Sequence, residues 1–209
     1  MTEFPNEYII VLIMETSSIS GIIKNLSLKN IPLFSLNEIG VILAIDNRQT
    51  LYKRIQRLTQ NKILQKFIKG KYYFTLHSVH DFTIANFLYQ PSYISMQSAL
   101  SFHSIMTGFS YQITSISIKK PKSFIIDEKD FVYSKITPKL FWGWEKKEDF
   151  LMATPEKALL DYMYFASKGL VNLDWEEIDI SRLDKKLLLE WSQKYNNSVM
   201  REIKKHIKP

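Results

Sequence analysis

One predicted helix of this chain presents arginine, glutamine, lysine and tyrosine side chains at a spacing that suits contact with a nucleic acid. The run from Asn47 to about Gln60 carries Leu51, Ile55 and Leu58 at helical spacing, which directs these three side chains into a core. The side chains that then face outward are Arg48, Gln49, Tyr52, Lys53, Gln56 and Arg57. Arginine and glutamine can pair with base edges through two hydrogen bonds, and lysine and tyrosine reach phosphates. The run is therefore a candidate recognition helix for a DNA major groove.

A basic β-hairpin is predicted immediately after this helix. Residues 63–68 and 71–75 are β-prone, and Lys69-Gly70 forms the turn between them. Asn61 lies where the helix must end, and asparagine tolerates the left-handed backbone that a helix end often needs. The candidate phosphate contacts of the hairpin are Lys66, Lys69 and Lys71.

A shorter helix is predicted to position the recognition helix. It begins at a capping box in which Ser35 and Glu38 satisfy each other's backbone amides. Asp46 and Asn47 then close a tight turn, and Asn47 caps the following helix. The apolar face of the shorter helix is predicted to hold Leu36, Ile39, Leu43 and Ala44. Two helices, a tight turn and a hairpin predict a winged helix-turn-helix.

The net positive charge of the chain is concentrated in this region. The stretch from Lys29 to Thr75 carries nine lysines and arginines against Glu38 and Asp46, and this excess of seven equals the net charge of +7 of the whole chain. A basic module of this kind is typical of nucleic-acid binding. Two alternatives stay open, a basic helix that only contacts solvent and a winged fold that docks a protein.

Length and composition favour two domains and exclude some chemistry. A chain of 209 residues can form domains over 1–90 and 91–209, with a connecting helix over 76–90 that Pro91 ends. The absence of cysteine excludes disulfides, thiolate nucleophiles and cysteine zinc sites, and it fits the reducing cytoplasm. The apolar run 8–14 is too short to span a bilayer and lacks the basic leader of a signal peptide, so it predicts a buried helix or an oligomer contact.

The second domain is predicted to contain a sheet followed by helices, which gives an α+β fold class. Short strand candidates without intervening helices indicate a mainly antiparallel sheet, and they cover 111–118, 123–126, 131–136, 140–144 and 150–152. Ser95 is predicted to cap a helix before the sheet. Thr154 and Pro155 open a helix that Gly169 ends, and further helices cover 184–195 and 197–207.

Three segments of the second domain resemble the AbiEi antitoxins of type IV toxin–antitoxin systems. The segment YISMQSALSFH, from Tyr93 to His103, resembles their YxSxxSALxxHG segment. The segment MATPEKALLDYMY, from Met152 to Tyr164, resembles their xAxPEKALLDLxY helix, and Phe141-Trp142-Gly143 matches the FxG strand end before it. Ser104 and Asn61 stand where the family usually has glycine.

The resemblance implies a DNA-binding antitoxin that represses its own operon. Its partners are double-stranded operator DNA, expected to be an inverted repeat, and a nucleotidyltransferase-like AbiEii toxin, which the C-terminal domain neutralises directly or indirectly. From the residues, we expect no enzymatic activity, no cofactor, no metal and no membrane partner. A plain transcription regulator, whose second domain binds a ligand or a partner, is the alternative that lacks antitoxin activity.

Three enzyme-like patterns are weaker alternatives. Asp130 followed by Glu145 and Lys147 matches the carboxylate and lysine spacing of PD-(D/E)xK nucleases, whose acids hold Mg²⁺. His77 and His80 could ligate a metal, although no third ligand lies nearby in the sequence. The serines at 95 and 98 with His103 suggest a hydrolase, but they lack a glycine elbow and an acid partner. In the Pro155 helix, Glu156, Lys157 and Asp161 are expected to form surface or partly buried pairs.

Overall fold

A computed structural model of the protein describes residues 18–28, 32–107 and 111–206. The chain has the expected α+β class and divides into two compact units, Met1–His80 and Asp81–Pro209. The apolar run 8–14 lies outside the described residues. No helix among the described residues combines the length and the apolarity needed to cross a bilayer.

The first unit contains helices and a small antiparallel sheet. Its elements, in chain order, are α1 (Ile19–Ser27), β1 (Leu33–Ser35), α2 (Leu36–Ile42), α3 (Arg48–Gln60), β2 (Leu64–Ile68) and β3 (Lys71–Phe74). Strand β3 lies between β1 and β2, and both pairings are antiparallel. The predicted hairpin is thus present as β2 and β3, whereas the three-residue strand β1 was not predicted. One apolar core joins these elements, and its fully buried members include Ile22, Leu26, Ile39, Leu58, Leu64 and Phe74.

The predicted helix starts of the first unit are confirmed. The Ser35 hydroxyl accepts from the Glu38 amide at 3.3 Å, and the Ser35 amide donates to the Glu38 carboxylate at 2.6 Å. The Asn47 side chain accepts from the Thr50 amide at 3.0 Å and caps α3. These contacts are local in sequence, which explains why the sequence predicts them.

The turns after the two helices differ from prediction. Ala44 is exposed in the turn with φ of 51°, so it does not belong to the apolar face of α2. The left-handed residue after α3 is Lys62, with φ of 57°, and not Asn61. Asn61 instead uses its side-chain amide to donate to the Arg57 carbonyl at 2.8 Å, and the same carbonyl also accepts from the Asn61 backbone amide at 3.1 Å.

The second unit is built on a six-stranded mixed sheet. Its helices and strands are α4 (Asp81–Leu88), β4 (Ser92–Ile94), α5 (Met96–Phe102), β5 (Gln112–Ser117), β6 (Lys122–Ile126), β7 (Lys129–Lys135), β8 (Trp144–Lys147), β9 (Phe150–Ala153), α6 (Pro155–Ala166), α7 (Lys185–Ser192) and α8 (Asn197–His206). The strand order is β6-β7-β5-β4-β9-β8. Three pairings are antiparallel, but β5 with β7 and β4 with β9 are parallel. The parallel pairs join strands that are not sequence neighbours, which local patterns do not reveal.

Two predicted segments of the second unit have different limits. The predicted strand over 140–144 is largely absent, since a 3₁₀ turn occupies Pro138–Leu140 and β8 begins only at Trp144. The predicted connecting helix is shorter and covers Asp81–Leu88.

Helix α4 packs on the sheet of the second unit, although the sequence analysis grouped it with the first domain. The Tyr133 hydroxyl on β7 donates to the Ala85 carbonyl at 2.6 Å. Lys129 forms an ion pair with Asp81 at 2.6 Å. The division between the units therefore lies after His80, ten residues before the predicted boundary.

Candidate functional site

Helix α3 exposes the side chains that the sequence analysis assigned to DNA. Leu51, Ile55 and Leu58 are buried in the core of the first unit. The opposite surface of the helix carries the six candidate side chains, all of them exposed: Arg48, Gln49, Tyr52, Lys53, Gln56 and Arg57. Because the apolar stripe anchors one side of the helix, the basic and amide groups lie together on the solvent side.

The hairpin presents its lysines next to this helix. Lys66 on β2 pairs with Tyr72 on β3, and Lys69 lies in the exposed turn. Gly70 completes the turn with φ of 79°, a conformation that glycine adopts without a steric penalty. Lys71 is only partly exposed.

A shallow groove of about 540 Å³ joins helix α3 to the hairpin. Tyr52 and Gln56 line it from the helix, and Lys66 and Tyr72 line it from the hairpin. Burial, with a smaller effect of Tyr52, raises the pKa of Tyr72, so this hydroxyl remains a hydrogen-bond donor at neutral pH. The structure thus brings three of the predicted residues to one groove and adds Tyr72, which the sequence analysis did not select.

The positive charge of this surface has little local compensation. Across the described part of the first unit the only carboxylates are those of Glu38 and Asp46. The Glu38 carboxylate is bound in the capping box of α2. A surface of this composition attracts polyanions and accelerates their encounter with the protein.

The second unit contains a buried ion pair on helix α6. Lys157 and Asp161 are one helical turn apart, and both side chains are completely buried. The Lys157 ammonium group donates to the Asp161 carboxylate and, at 2.7 Å, to the Tyr195 hydroxyl. A buried charge of this kind is stable only when its partners satisfy it.

Further hydroxyl groups complete the hydrogen bonding of the Asp161 carboxylate. Tyr195 donates to one carboxylate oxygen at 2.8 Å. Tyr93 and Ser95 donate to the other oxygen at 2.9 and 2.8 Å. The prediction that Ser95 caps helix α5 is therefore wrong. Its hydroxyl makes no cap hydrogen bond and is instead bound to Asp161. We call these five residues, Tyr93, Ser95, Lys157, Asp161 and Tyr195, the buried polar centre.

The electrostatics of the buried polar centre favour a structural role. Burial lowers the pKa of Lys157, and the adjacent Asp161 carboxylate opposes this effect. Burial and the same carboxylate raise the pKa of Tyr93 and of Tyr195 well above the ordinary value. Both phenols thus stay protonated and donate their hydrogen bonds. The rings of Tyr93, Trp142 and Tyr195 lie 5.1 to 5.5 Å from the ammonium nitrogen and enclose it, so a substrate has no direct approach.

Gly143 makes room for the buried lysine. Its φ is 73°, and a Cβ atom at this position would lie 3.0 Å from the side-chain carbons of Lys157. A larger residue would therefore be both strained and in collision. The three segments that resemble AbiEi antitoxins thus converge in space: one supplies Tyr93 and Ser95, one supplies Lys157 and Asp161, and one supplies Gly143.

The sequence does not predict this centre, and the expectation that Lys157 and Asp161 form surface or partly buried pairs is wrong because both side chains are completely buried. Glu156 does lie partly exposed, where it accepts from the Asp184 amide at 3.1 Å. The overlooked signal is the composition of α6, since Lys157 and Asp161 are the only charged residues from Lys157 to Phe165, a stretch that the structure buries throughout. A helix that is buried all round can hold opposite charges four residues apart only as a buried pair.

The residues of the nuclease-like pattern lie apart in the fold. Asp130 is on β7 and Glu145 is on β8, and these strands are four positions apart in the sheet. At about 4.8 Å per strand the two backbones are roughly 19 Å apart, too far for the carboxylates to share a metal ion. Glu145 forms an ion pair with Lys147 at 2.6 Å instead.

The hydrolase-like residues are engaged in structural contacts. The Ser98 hydroxyl donates to the Gln112 carbonyl at 3.2 Å. A ring nitrogen of His103 lies 3.0 Å from the Ala153 carbonyl oxygen, so no catalytic serine and histidine pair forms. The described residues contain no group of three histidine or acidic side chains that could hold a metal ion. His77 packs against the Phe74 ring with centroids 5.1 Å apart.

Comparison with known proteins finds no protein-family model that matches this chain and no curated protein that matches it. The likeness to AbiEi antitoxins therefore depends on the three segments named above.

Proposed function

We propose that this protein is a cytoplasmic, non-enzymatic DNA-binding antitoxin that represses its own operon and neutralises a nucleotidyltransferase-like toxin. The first unit is the DNA-binding part and acts as a winged helix-turn-helix, with α3 in the major groove and the β2–β3 hairpin as the wing. The second unit is the antitoxin part.

The observation that carries the DNA-binding part of the proposal is the exposed surface of α3. It combines side chains that read base edges with side chains that bind phosphates, and the adjoining hairpin adds Lys66, Lys69 and Lys71. The order helix, strand, helix, helix, strand, strand supports a winged helix, since the helix pair and the hairpin follow each other without interruption.

The convergence of three separate segments on the buried polar centre supports the antitoxin part. Residues that resemble a family only in sequence need not meet in space. Here Ser95, Gly143 and Asp161 each contribute to the surroundings of the same buried ion pair. The three segments thus share one structural task, because each supplies a residue that is needed to bury Lys157.

The antitoxin role is tested by co-expression with the neighbouring toxin gene under an unrelated promoter. We expect the full chain to rescue growth, and we expect a variant with Arg48, Lys66, Lys69 and Lys71 replaced by alanine to rescue equally well while repression of the native promoter is lost. The unrelated promoter removes repression as an explanation of rescue. Absence of rescue by both proteins would contradict the antitoxin role and would favour a plain transcription regulator.

The wing is tested by the salt dependence of DNA binding. Replacement of Lys66, Lys69 and Lys71 by alanine should weaken binding to every duplex alike and reduce the slope of log K against log salt concentration by about 0.9 for each lost phosphate contact. Base preference should be retained. The matched control replaces the exposed lysines Lys146, Lys185 and Lys186, for which the slope should not change. An unchanged slope in the wing variant would exclude the hairpin from the interface.

A further inference from the structure

Strand β6, Lys122–Ile126, is an outer strand of the sheet in the second unit. It pairs with β7 on one side, and among the described residues no strand pairs with it on the other side. An open strand edge offers a row of unpaired amide and carbonyl groups to any strand that lies beside it. We call this open side of the strand the β6 edge.

The hairpin turn determines which residues of β6 direct their backbone groups toward the β6 edge. The two-residue turn Asp127-Glu128 has positive φ values of 49° and 64°, and Ile126 pairs with Lys129 across it. Residues that flank such a turn exchange hydrogen bonds, and bonded and non-bonded pairs then alternate along the two strands. The amide and carbonyl groups of Ser123 and Ile125 therefore face the β6 edge.

An exposed apolar side chain lies in the middle of this edge. Ile125 is 76% exposed, although isoleucine is among the residues that are most often buried. Its neighbour Phe124 is half-buried, and the Phe124 ring packs against Tyr89 and Tyr133. The segment from Ser123 to Ile125 carries no charge, so the centre of the edge lacks the charged side chains that prevent pairing at many open strands.

Charges of opposite sign lie at the two ends of β6. Exposed basic side chains lie at or before its start and exposed acidic side chains follow its end: Lys119, Lys120 and Lys122, then Asp127 and Glu128. In an antiparallel pair of two β6 strands, the basic end of one copy lies beside the acidic end of the other. A parallel pair would place like charges beside each other, which is destabilising. The charge pattern of β6 is therefore complementary to itself only in the antiparallel arrangement.

We propose that the β6 edge is a homodimer contact, in which the β6 strands of two copies pair antiparallel about Phe124 and join the two sheets. With Phe124 opposite its counterpart, Ser123 of each copy lies opposite Ile125 of the other, and each such pair exchanges two hydrogen bonds. These bonds satisfy every backbone group of β6 that faces the edge. Lys122 and Glu128 of the second copy become diagonal neighbours about 7–8 Å apart, within reach of long side chains.

This contact is independent of the proposed DNA-binding and antitoxin functions, because it involves neither α3 nor the buried polar centre. Two paired strands of five residues form a small interface, below the roughly 1,200 Å² of total buried surface at which stable complexes begin. A weak, reversible dimer is therefore expected, and it forms at high protein concentration.

Sedimentation equilibrium of the full chain tests the contact. Ser123→Pro removes the amide hydrogen that faces the β6 edge, so by symmetry it breaks two intermolecular hydrogen bonds and should raise the dissociation constant about tenfold or more. Ile125→Lys should have a similar effect, because it places a charge in the centre of the edge. The matched control is Leu170→Lys, since Leu170 is 65% exposed in the same unit but lies after α6, and it should dimerise like the unchanged chain. Equal unfolding midpoints establish that the variants are folded.

Charge reversal tests the antiparallel arrangement. Lys122→Glu and Glu128→Lys should each weaken dimerisation when present alone, because each places like charges at both diagonal positions. An equal mixture of the two variants should dimerise again, since every diagonal pair of the mixed dimer then joins a glutamate with a lysine. Recovery in the mixture also shows that the variants remain folded.

The absence of cysteine from the chain permits a crosslinking test of the register. A mixture of Ser123→Cys and Ile125→Cys should form a disulfide-linked dimer faster than either variant alone when an oxidant is added. The reason is that these two positions lie opposite each other in the proposed register, with Cα atoms about 5.5 Å apart, a separation that suits a disulfide.

A monomer at every concentration would overturn the homodimer contact and would leave the β6 edge open to a strand of another protein. A dimer that Ser123→Pro and Ile125→Lys leave intact, or that Leu170→Lys weakens equally, would place the contact on another surface. Failure of the mixed charge variants to recover would exclude the antiparallel arrangement, and equal crosslinking by either cysteine variant alone would exclude the register. None of these measurements uses DNA or a toxin, so a failure here is distinct from a failure of the proposed function.

Discussion

Replacement of Lys157 by methionine is expected to lower the free energy of unfolding of the second unit by about 3–5 kcal/mol. The change leaves the Asp161 carboxylate completely buried without its cation, and the hydroxyl donors of Tyr93, Ser95 and Tyr195 cannot replace a charge. The measurement is urea unfolding followed by tryptophan fluorescence. All four tryptophans lie in residues 81–209, so this signal reports on the second unit alone.

The exposed ion pair of Lys147 with Glu145 supplies the matched control. These side chains are 2.6 Å apart but are 39% and 48% exposed, so Lys147→Met should cost only about 0–1 kcal/mol. The double variant Lys157→Met with Asp161→Asn should be more stable than Lys157→Met alone, because asparagine keeps an acceptor for the hydroxyl groups and removes the unpaired charge. A loss for Lys157→Met no larger than that for Lys147→Met would show that the buried pair has no special role.

Replacement of Arg48 or Gln49 by alanine is expected to cost about 1–3 kcal/mol of binding free energy on the preferred DNA site and little on random DNA. Both side chains are exposed in the first turn of α3, and each can form two hydrogen bonds to a base edge. The preferred site is obtained by selection from a random library, and affinities for selected and random duplexes are then compared by titration at one salt concentration.

Gln193→Ala, in the second unit, is the control for this experiment. Gln193 is also an exposed glutamine, and it lies outside the surface assigned to DNA. It should leave the ratio of the two affinities unchanged. Equal losses on selected and random DNA for Arg48→Ala and Gln49→Ala would show that these residues contact the backbone and do not read bases.

The start of helix α6 and the strands before it show what local sequence can predict. Thr154 and Pro155 begin the helix as expected, with the Thr154 hydroxyl accepting from the Lys157 amide, and Gly169 adopts the expected positive φ of 68° after it. Local sequence does not predict the order of the strands in the sheet. Strand β5 pairs with β7, although β6 lies between them in the chain. Nothing in either strand's pattern specifies its neighbour.

The sequence by itself determined the α+β class, the caps of α2 and α3 and the basic surface of the first unit, because each depends on residues within a few positions of one another. Only the tertiary structure decided the environment of Asp161, whose hydroxyl partners come from positions 66, 68 and 34 residues away. It also gathered Lys119, Lys122 and Lys135 around one end of a sheet. The physical reason is that burial and charge density are properties of segments that meet in space, and their energies depend on neighbours that no local pattern identifies.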